Sequence, residues 1–133
     1  MNVLAIDTSV GVSVAILRSS GEVTQSQAID HGMQGELTAE LISRVVTDSG
    51  LNIEEITDVV VGVGPGPFTG LRVGIVTAAV FAHARDISIH GICSLDAIAF
   101  DHANPCVVVT DARRKELYWA RYEGVRIGEP QVS

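Results

Sequence analysis

The chain has 133 residues, of which 47% are hydrophobic and only 5% aromatic, and its formal net charge is −7 at pH 7. This length suffices for one domain with its own core, and the charge argues against nucleic-acid binding as the main task, because phosphate contacts need clustered Lys and Arg. The longest apolar stretches fall short of the ~20 residues of a membrane span, so we expect a cytoplasmic protein with no membrane partner.

The first predicted elements are three strands and a helix. Apolar segments at 3–7 and 12–17 flank a short turn and predict a β-hairpin, and the more polar segment 23–29 suits an edge strand. Residues 34–49 carry apolar side chains on about half of a helical wheel, and Gly50 follows as a stop signal.

Asp7, Thr8 and Ser9 lie in the turn after the first strand. Exposed N–H groups, two hydroxyls and one carboxylate in a tight turn are suited to a phosphate or a hydrated Mg²⁺ ion. From the turn alone we favour the alternative, an ordinary hairpin in which these side chains bond the local backbone.

The loop from Gly62 to Gly74 is the most distinctive segment. Four glycines and two prolines within nine positions fix a rigid path between a strand at 58–63 and a helix at 69–85. The run of β-branched residues in that strand predicts that it is buried on both faces. Thr69 is predicted to cap that helix, and a helix N-terminus after a buried strand is a natural anion site. The loop lacks the lysine of a nucleotide triphosphate cradle, so a structural role is the firmer expectation.

The second helix carries a small residue at every fourth position, which forms a ridge almost without side chains. Its remaining surface is also apolar, which is typical of a central core helix or of a helix shared with a partner. In a domain of this size we favour a partner, with the first helix as companion. The predicted interface residues are Leu37, Leu41, Val45, Gly70, Leu71, Gly74, Ala78, Phe81 and Ala82.

The rest of the chain is predicted as strand, helix, strand and strand. The full order is βββαβαβαββ, a mixed sheet flanked by helices, which is typical of the α/β ribonuclease H-like fold of actin-like ATPases, the ASKHA class. We assign residues 1–124, with the final hairpin, to an N-terminal lobe, and 125–133 to a tail or the start of a second lobe. The last four predicted elements span 87–92, 95–100, 106–110 and 116–122.

Asp111 comes directly after the predicted buried strand at 106–110. We expect it near the same cleft as Asp7, because ligands in open α/β sheets lie at the carboxyl ends of strands; a turn-stabilising role fits it equally well. The basic run Arg113, Arg114 and Lys115 comes next, and we interpret it as a solvated turn rather than a nucleic-acid contact.

No catalytic residue and no metal site is predicted. Cys93 and Cys106 are expected to be buried small hydrophobes, the four histidines have no paired ligand spacing, and no Ser or Cys lies in a nucleophile elbow. The weak candidates for binding a cofactor are Asp7, Thr8, Ser9, Thr69 and Asp111.

Three segments together resemble the TsaB (YeaZ) family, and the resemblance spans essentially the whole chain. They are LAIDT at 4–8, GPGPFTGLR at 64–72, and DAR with ELYW at 111–119, while CSLDA at 93–97 is similar to the actinobacterial branch. The resemblance implies a non-catalytic subunit of the bacterial machinery that forms N6-threonylcarbamoyladenosine beside the anticodon of tRNA.

The same resemblance implies the partners. A TsaD-like subunit would carry the metal and the catalysis, a TsaE-like protein would supply ATPase function, and tRNA would be reached indirectly through the complex. The two core helices would dimerise with TsaD or with a second copy. No cofactor is required, and weak or partner-dependent binding of ATP or ADP with Mg²⁺ stays open.

The chain departs from the family pattern at two places. Family members carry Arg-Xaa-His before the first helix, where this sequence has His31, Gly32 and Met33, and they continue into a second, smaller lobe.

Two other functions fit parts of the pattern. A small ASKHA-type phosphotransferase or nucleotide hydrolase would use Asp7 and Asp111 and would bind nucleotide unaided. A glycoprotease-type metallopeptidase would hold zinc, for which the histidine spacing gives no support.

Overall fold

The computed structural model describes residues 1–29 and 34–133, so the departure at His31, Gly32 and Met33 lies outside the described residues. The elements follow the predicted order, with a short 3₁₀ helix at Ile53–Glu55 and one further strand at the end. The first half contains β1 (Val3–Asp7), β2 (Val12–Leu17), β3 (Val23–Ala28), α1 (Gln34–Ser49) and β4 (Asp58–Gly62). The second half contains α2 (Phe68–Arg85), β5 (Ser88–Ile92), α3 (Ser94–Ala99), β6 (Cys106–Arg113), β7 (Glu116–Glu123) and β8 (Val125–Val132).

The first five strands form one mixed sheet in the order β3-β2-β1-β4-β5. Strand β1 runs antiparallel to β2 and parallel to β4, and β5 continues the parallel half. The prediction of a mixed sheet with helices against it is therefore confirmed, with β1 at its centre.

The main core lies on one face of this sheet, under α1 and α2. Side chains such as Leu4 and Ile6 are almost fully buried there, together with Val59 and Val61 of β4. The prediction that β4 is buried on both faces is wrong, because Val60, between those two valines, points to the other face and is only half-buried. That other face is lined by small and polar side chains and borders a cavity of about 510 Å³.

Strands β6, β7 and β8 form a separate antiparallel sheet. Residues 125–133, which we interpreted as a tail or the start of a second lobe, contain β8, which pairs with β7. The sequence concealed this strand because Gly128 has a φ of +78° and Pro130 cannot donate to a ladder. Both residues are tolerated because β8 is an edge strand and its pairing with β7 shifts register between Trp119 and Arg121.

Helix α3 packs on the second sheet and gives it a small core of its own. The buried members are Leu95, Ala99, Val108, Ala120 and Tyr122. Cys93 and Cys106 lie at the border of this core as free, half-buried thiols, less buried than we predicted. Among the described helices, none combines the length and the apolarity that a membrane crossing requires.

The small-residue ridge of α2 is used inside the chain. Gly70, Gly74, Ala78 and Ala82 are all buried, and the Gly74 N–H donates to Thr8 Oγ1 at 3.0 Å. A Cβ atom on Gly74 would lie 2.9 Å from Thr8 Cγ2 and still closer to Thr8 Oγ1. The ridge therefore receives the end of β1, and its prediction as a partner surface is wrong.

This close approach makes Gly74 intolerant of any side chain. We expect Gly74→Ala to lower the free energy of unfolding by about 1 to 3 kcal/mol, because the methyl group overpacks a buried contact. Gly35→Ala is the matched control, since Gly35 is also helical but a Cβ added there would have no atom within 4 Å. We expect that control to stabilise by about 0.5 to 1 kcal/mol.

Urea unfolding followed by circular dichroism measures both changes. A Gly74→Ala variant as stable as the unmodified chain would contradict the contact between Thr8 and α2.

Candidate functional site

The turn after β1 is held by its own side chains. Asp7 Oδ1 accepts hydrogen bonds from the Ser9 N–H at 2.8 Å and from Ser9 Oγ at 2.5 Å. Thr8 and Ser9 are 3% and 7% exposed, so their hydroxyls face protein rather than open solvent. The local bonding that we favoured for this turn is therefore present, and it fixes the turn rigidly.

Four of the predicted cofactor residues line one cavity of about 440 Å³. The cavity lies between the turn after β1, the first turns of α1 and α2, and the β6–β7 hairpin. Its lining includes Thr8, Ser9, Thr69, Asp111 and Arg113. We call it the turn cavity.

Asp7 does not line the turn cavity, contrary to the prediction that it shares a cleft with Asp111. Its carboxylate lies against Gly62, where a Cβ would come within 2.5 Å of Asp7 Cγ, and it lines the larger cavity on the opposite face of the sheet. The alternation of side chains along β1 causes this separation, because Asp7 and Thr8 point to opposite faces.

Thr69 reaches the turn cavity but does not cap α2. The helix begins one residue earlier than predicted, Pro67 occupies the N-cap position, and no side chain makes a capping hydrogen bond there. Proline fits at this point because the first N–H groups of a helix have no intrahelical acceptor, so its missing donor costs nothing. The Thr69 side chain is exposed and available to a ligand.

The β6–β7 hairpin brings Asp111 and Arg113 to the same cavity. Asp111 lies within β6 rather than after it, and its Oδ1 accepts a hydrogen bond from the Arg113 N–H at 2.8 Å. The turn-stabilising role that the sequence left open for Asp111 is thus realised. Because the side chain is exposed, its carboxylate is also accessible from the cavity.

Two side chains of α3, Ser94 and Asp96, connect the second sheet to the first. Its Oδ1 accepts from Tyr122 Oη at 2.6 Å and from Arg126 Nε at 2.9 Å. At the start of the same helix the Ser94 N–H donates to the Gly64 carbonyl at 2.9 Å, and Ser94 Oγ accepts from the Gly64 N–H at 3.1 Å. These bonds connect the loop from Gly62 to Gly74, through α3, with β7 and β8. They position the β6–β7 hairpin at the turn cavity.

The outer side of α2 is an apolar surface that the sequence did not separate from the ridge. Phe68, Val76 and Val80 are 75%, 58% and 63% exposed. With Arg72, whose guanidinium lies 5.7 Å from the Phe68 ring centroid, they follow one line at four-residue spacing. We call these four residues the α2 outer face.

The predicted interface residues lie elsewhere. Six of them are buried within the chain: Leu41, Val45, Gly70, Gly74, Ala78 and Ala82. The other three, Leu37, Leu71 and Phe81, are half-buried. A helix that is apolar all round buries more than one face, and its sequence does not show which face is buried inside the chain. The packing of β1 against the ridge decides this.

Metal ligands do not gather in the described part of the chain. Across residues 1–29 and 34–133, no three His, Cys, Asp or Glu side chains are grouped closely enough to hold an ion.

The mixed sheet, the turn after β1 and the hairpin beside it define a domain of the ribonuclease H-like, actin-like class. Solved structures share this fold. YeaZ from Pseudomonas aeruginosa superposes with a TM-score of 0.85 at 24% identity, over 98% of this chain and 66% of that one. A protein similar to peptidase YeaZ, from the same organism, gives 0.88 at 23% identity, over 99% and 66%.

Residues 34–130 match the family described as "TsaD: tRNA N6-adenosine threonylcarbamoyltransferase". The chain belongs to this family, and its similarity to TsaB (YeaZ) proteins confirms the resemblance that the motifs predicted. It is 29% identical to the tRNA threonylcarbamoyladenosine biosynthesis protein TsaB of Escherichia coli, over 92% of this chain and 55% of that protein.

Mycobacterial relatives are more similar in sequence, in agreement with the actinobacterial motif. An uncharacterised protein of Mycobacterium leprae is 46% identical over 98% of this chain, and one of Mycobacterium bovis is 42% identical over 98%. The chain spans 38% and 64% of their respective lengths, so it corresponds to less than two thirds of these relatives.

The link between Asp96 and Tyr122 predicts a loss of stability at alkaline pH. Burial, and then the hydrogen bond to the Asp96 carboxylate, raise the pKa of Tyr122 well above its ordinary value of 10.0. In the unfolded chain the phenol ionises near pH 10, whereas in the folded chain it stays protonated. The stabilisation is therefore complete below pH 10 and declines as the pH rises above it.

We expect the free energy of unfolding to fall between about pH 10 and 11.5 with a slope of up to about 1.4 kcal/mol per pH unit. Tyr122→Phe should reduce that slope, and Tyr118→Phe, which alters a tyrosine outside the link, should leave it. Equal slopes in the Tyr122→Phe variant and the unmodified chain would contradict the assignment.

Proposed function

We propose that the chain is a subunit of the bacterial system that makes N6-threonylcarbamoyladenosine in tRNA, and that it binds a TsaD-type catalytic subunit through the α2 outer face. The observation that carries this proposal is the line of more than half-exposed apolar side chains on a helix whose opposite side is filled by β1. The names of the TsaB relatives and the matched family support the pathway.

The composition of the α2 outer face suits a protein partner. Phe68, Val76 and Val80 supply an apolar strip, and the centres of protein interfaces are enriched in aromatic residues and in arginine. Arg72 lies within the strip and stacks near Phe68, so it is available for a carboxylate on the facing surface. A surface of this kind is costly to leave in water and marks an interaction site.

The proposal assigns catalysis to the partner. Asp7 at the end of β1, Thr8 directly after it and Ser94 shortly after β5 each form a hydrogen bond within the chain that holds the fold together. In this arrangement the chain acts as a scaffold or activator in the cytoplasm, while a TsaE-type ATPase and the tRNA join the same assembly. A homodimer through the same helix face is the form that the proposal expects in the absence of TsaD.

The double substitution Val76→Glu with Val80→Glu tests the interface. Two buried carboxylates in an apolar contact should weaken binding to the TsaD-type subunit of the same organism by at least about 30-fold, the effect of losing a ~2 kcal/mol hot spot. Biolayer interferometry measures the affinity, and light scattering of the chain alone reports any homodimer.

Val107→Glu with Val125→Glu is the matched control, because these valines are 56% and 69% exposed but lie on the second sheet. It should bind like the unmodified chain. If the α2 variant binds normally while both variants unfold at the same temperature, the assigned interface is wrong.

A second candidate function is nucleotide binding in the turn cavity, favoured by the meeting of Thr8, Ser9, Thr69 and Asp111 around it. This candidate predicts that isothermal titration calorimetry detects ADP with Mg²⁺ binding to the isolated chain, and that Thr69→Val weakens it by about 10-fold through loss of a hydroxyl contact. Thr47→Val is the matched comparison, because Thr47 is also an exposed threonine on a helix but does not line the cavity. Absence of binding heat at millimolar ADP would reject the candidate.

A further inference from the structure

The basic side chains of this acidic protein fall into two groups. Of its nine Lys and Arg residues, five contact an acid, a carbonyl or an aromatic ring elsewhere in the fold. For example, Arg44 pairs with Glu40 at 3.1 Å, and the Arg85 guanidinium lies 4.1 Å from the Phe81 ring centroid. The five are Arg18, Arg44, Arg72, Arg85 and Arg126.

The other four cations all lie on the β6–β7 hairpin. They are Arg113, Arg114, Lys115 and Arg121, and each is exposed. None of their charged groups forms an ion pair, hydrogen bond or ring contact with the residues that the structure describes. In the part of the chain that the structure describes, the Lys and Arg side chains without such a contact therefore all lie on one hairpin, although the chain has a net charge of −7.

The tip of the hairpin holds three of these cations side by side. Arg113, Arg114 and Lys115 have φ angles of 65°, 53° and 64°, a left-handed conformation that side-chain-bearing residues rarely adopt in succession. Asp111 fixes the turn through the Arg113 N–H. Gly or Asn would adopt these φ angles with less strain. The turn therefore has charged side chains at positions where the backbone conformation disfavours them.

Arg121 extends the basic surface along β7. Ala120 faces the α3 core, so its neighbours Trp119 and Arg121 point to the opposite, open face of the sheet. Arg121 comes six positions after Lys115, which corresponds to about 20 Å along a strand. The half-buried Trp119 indole lies between them, with its Nε1–H donating to Ser133 Oγ at 3.0 Å.

We propose that the β6–β7 hairpin binds the phosphate backbone of an RNA strand, with the cations at the tip and Arg121 on phosphates and the Trp119 ring available to an unstacked base. Cations spaced along a strand with an aromatic ring between them are the combination that single-stranded RNA requires. This inference rests on the proposed function, which brings tRNA to the assembly.

Acidic residues beside the four cations limit how strongly the hairpin can bind RNA. Asp111, Glu116 and Glu123 lie on the same hairpin, so its net charge is +1 and the binding depends on the placement of the four cations. The hairpin therefore adds to the RNA affinity of a complex and is salt-sensitive, rather than forming a high-affinity site on its own.

Fluorescence anisotropy tests the inference: a fluorescein-labelled, unmodified tRNA transcript is titrated with the chain or its variants at roughly 50 to 200 mM salt. We expect Arg113→Gln, Arg114→Gln and Lys115→Gln together to weaken binding by about 10-fold at low salt and to flatten the log–log salt slope by about 2 to 3. The control is Arg18→Gln, Arg44→Gln and Arg85→Gln together, which removes the same charge from paired positions and should change affinity less than about 2-fold.

Equal losses in both triple variants, or none in the hairpin variant, would overturn the inference. Binding of the hairpin variant to the TsaD-type subunit is measured in parallel. If RNA affinity is unchanged but TsaD binding is lost, the hairpin serves a protein partner and the inference is wrong. Normal TsaD binding together with unchanged RNA affinity rejects the inference alone and leaves the proposed function standing.

Discussion

One hydroxyl group at the end of β1 determines how the main helix lies on the sheet. Thr8 Oγ1 accepts a hydrogen bond from the Gly74 N–H and donates one to the Leu71 carbonyl at 3.2 Å, in a position only 3% exposed. The contact requires a helix face without side chains, which the small-residue ridge provides. Because that face is directed inward, the remaining apolar residues of α2 are directed outward. The α2 outer face, which we propose as the partner surface, is therefore a consequence of an internal packing constraint.

A second set of bonds carries this geometry to the other sheet. Near the start of the loop from Gly62 to Gly74, the Gly64 N–H donates to Ser94 Oγ, and two residues after Ser94 the Asp96 carboxylate accepts from Tyr122 and Arg126. The β6–β7 hairpin is positioned by these bonds at the edge of the turn cavity, where Asp111 meets Thr8 and Thr69. The same hydrogen-bonded junction thus connects α2, which carries the outer face, with the turn cavity and the basic hairpin.

Local patterns in the sequence predicted most of the elements, because the strands and helices of the first half have clear periods and stop signals. Prediction was weakest where contacts between distant parts of the chain determine the structure. Thr69 is a strong N-cap residue, but the path of the preceding Gly- and Pro-rich loop places Pro67 at the N-cap position instead. The strand β8 was hidden because Gly128 and Pro130 are tolerated only at an edge. The inward face of α2 and the separation of Asp7 from Asp111 depend on tertiary packing, which the periodicity of a single segment does not reveal.

The family motifs identified the relatives correctly, although most of the residues that we first assigned to the interface lie in the core.

The central claim is that the exposed side of α2, rather than its ridge, meets the TsaD-type subunit. Methyl-resolved NMR of the valine-labelled chain, titrated with unlabelled TsaD-type subunit, tests it directly. The account predicts that the Val76 and Val80 methyl resonances shift or broaden, while those of Val107 and Val125 on the second sheet stay in place. Perturbation confined to the second-sheet valines, with Val76 and Val80 unchanged, would contradict it.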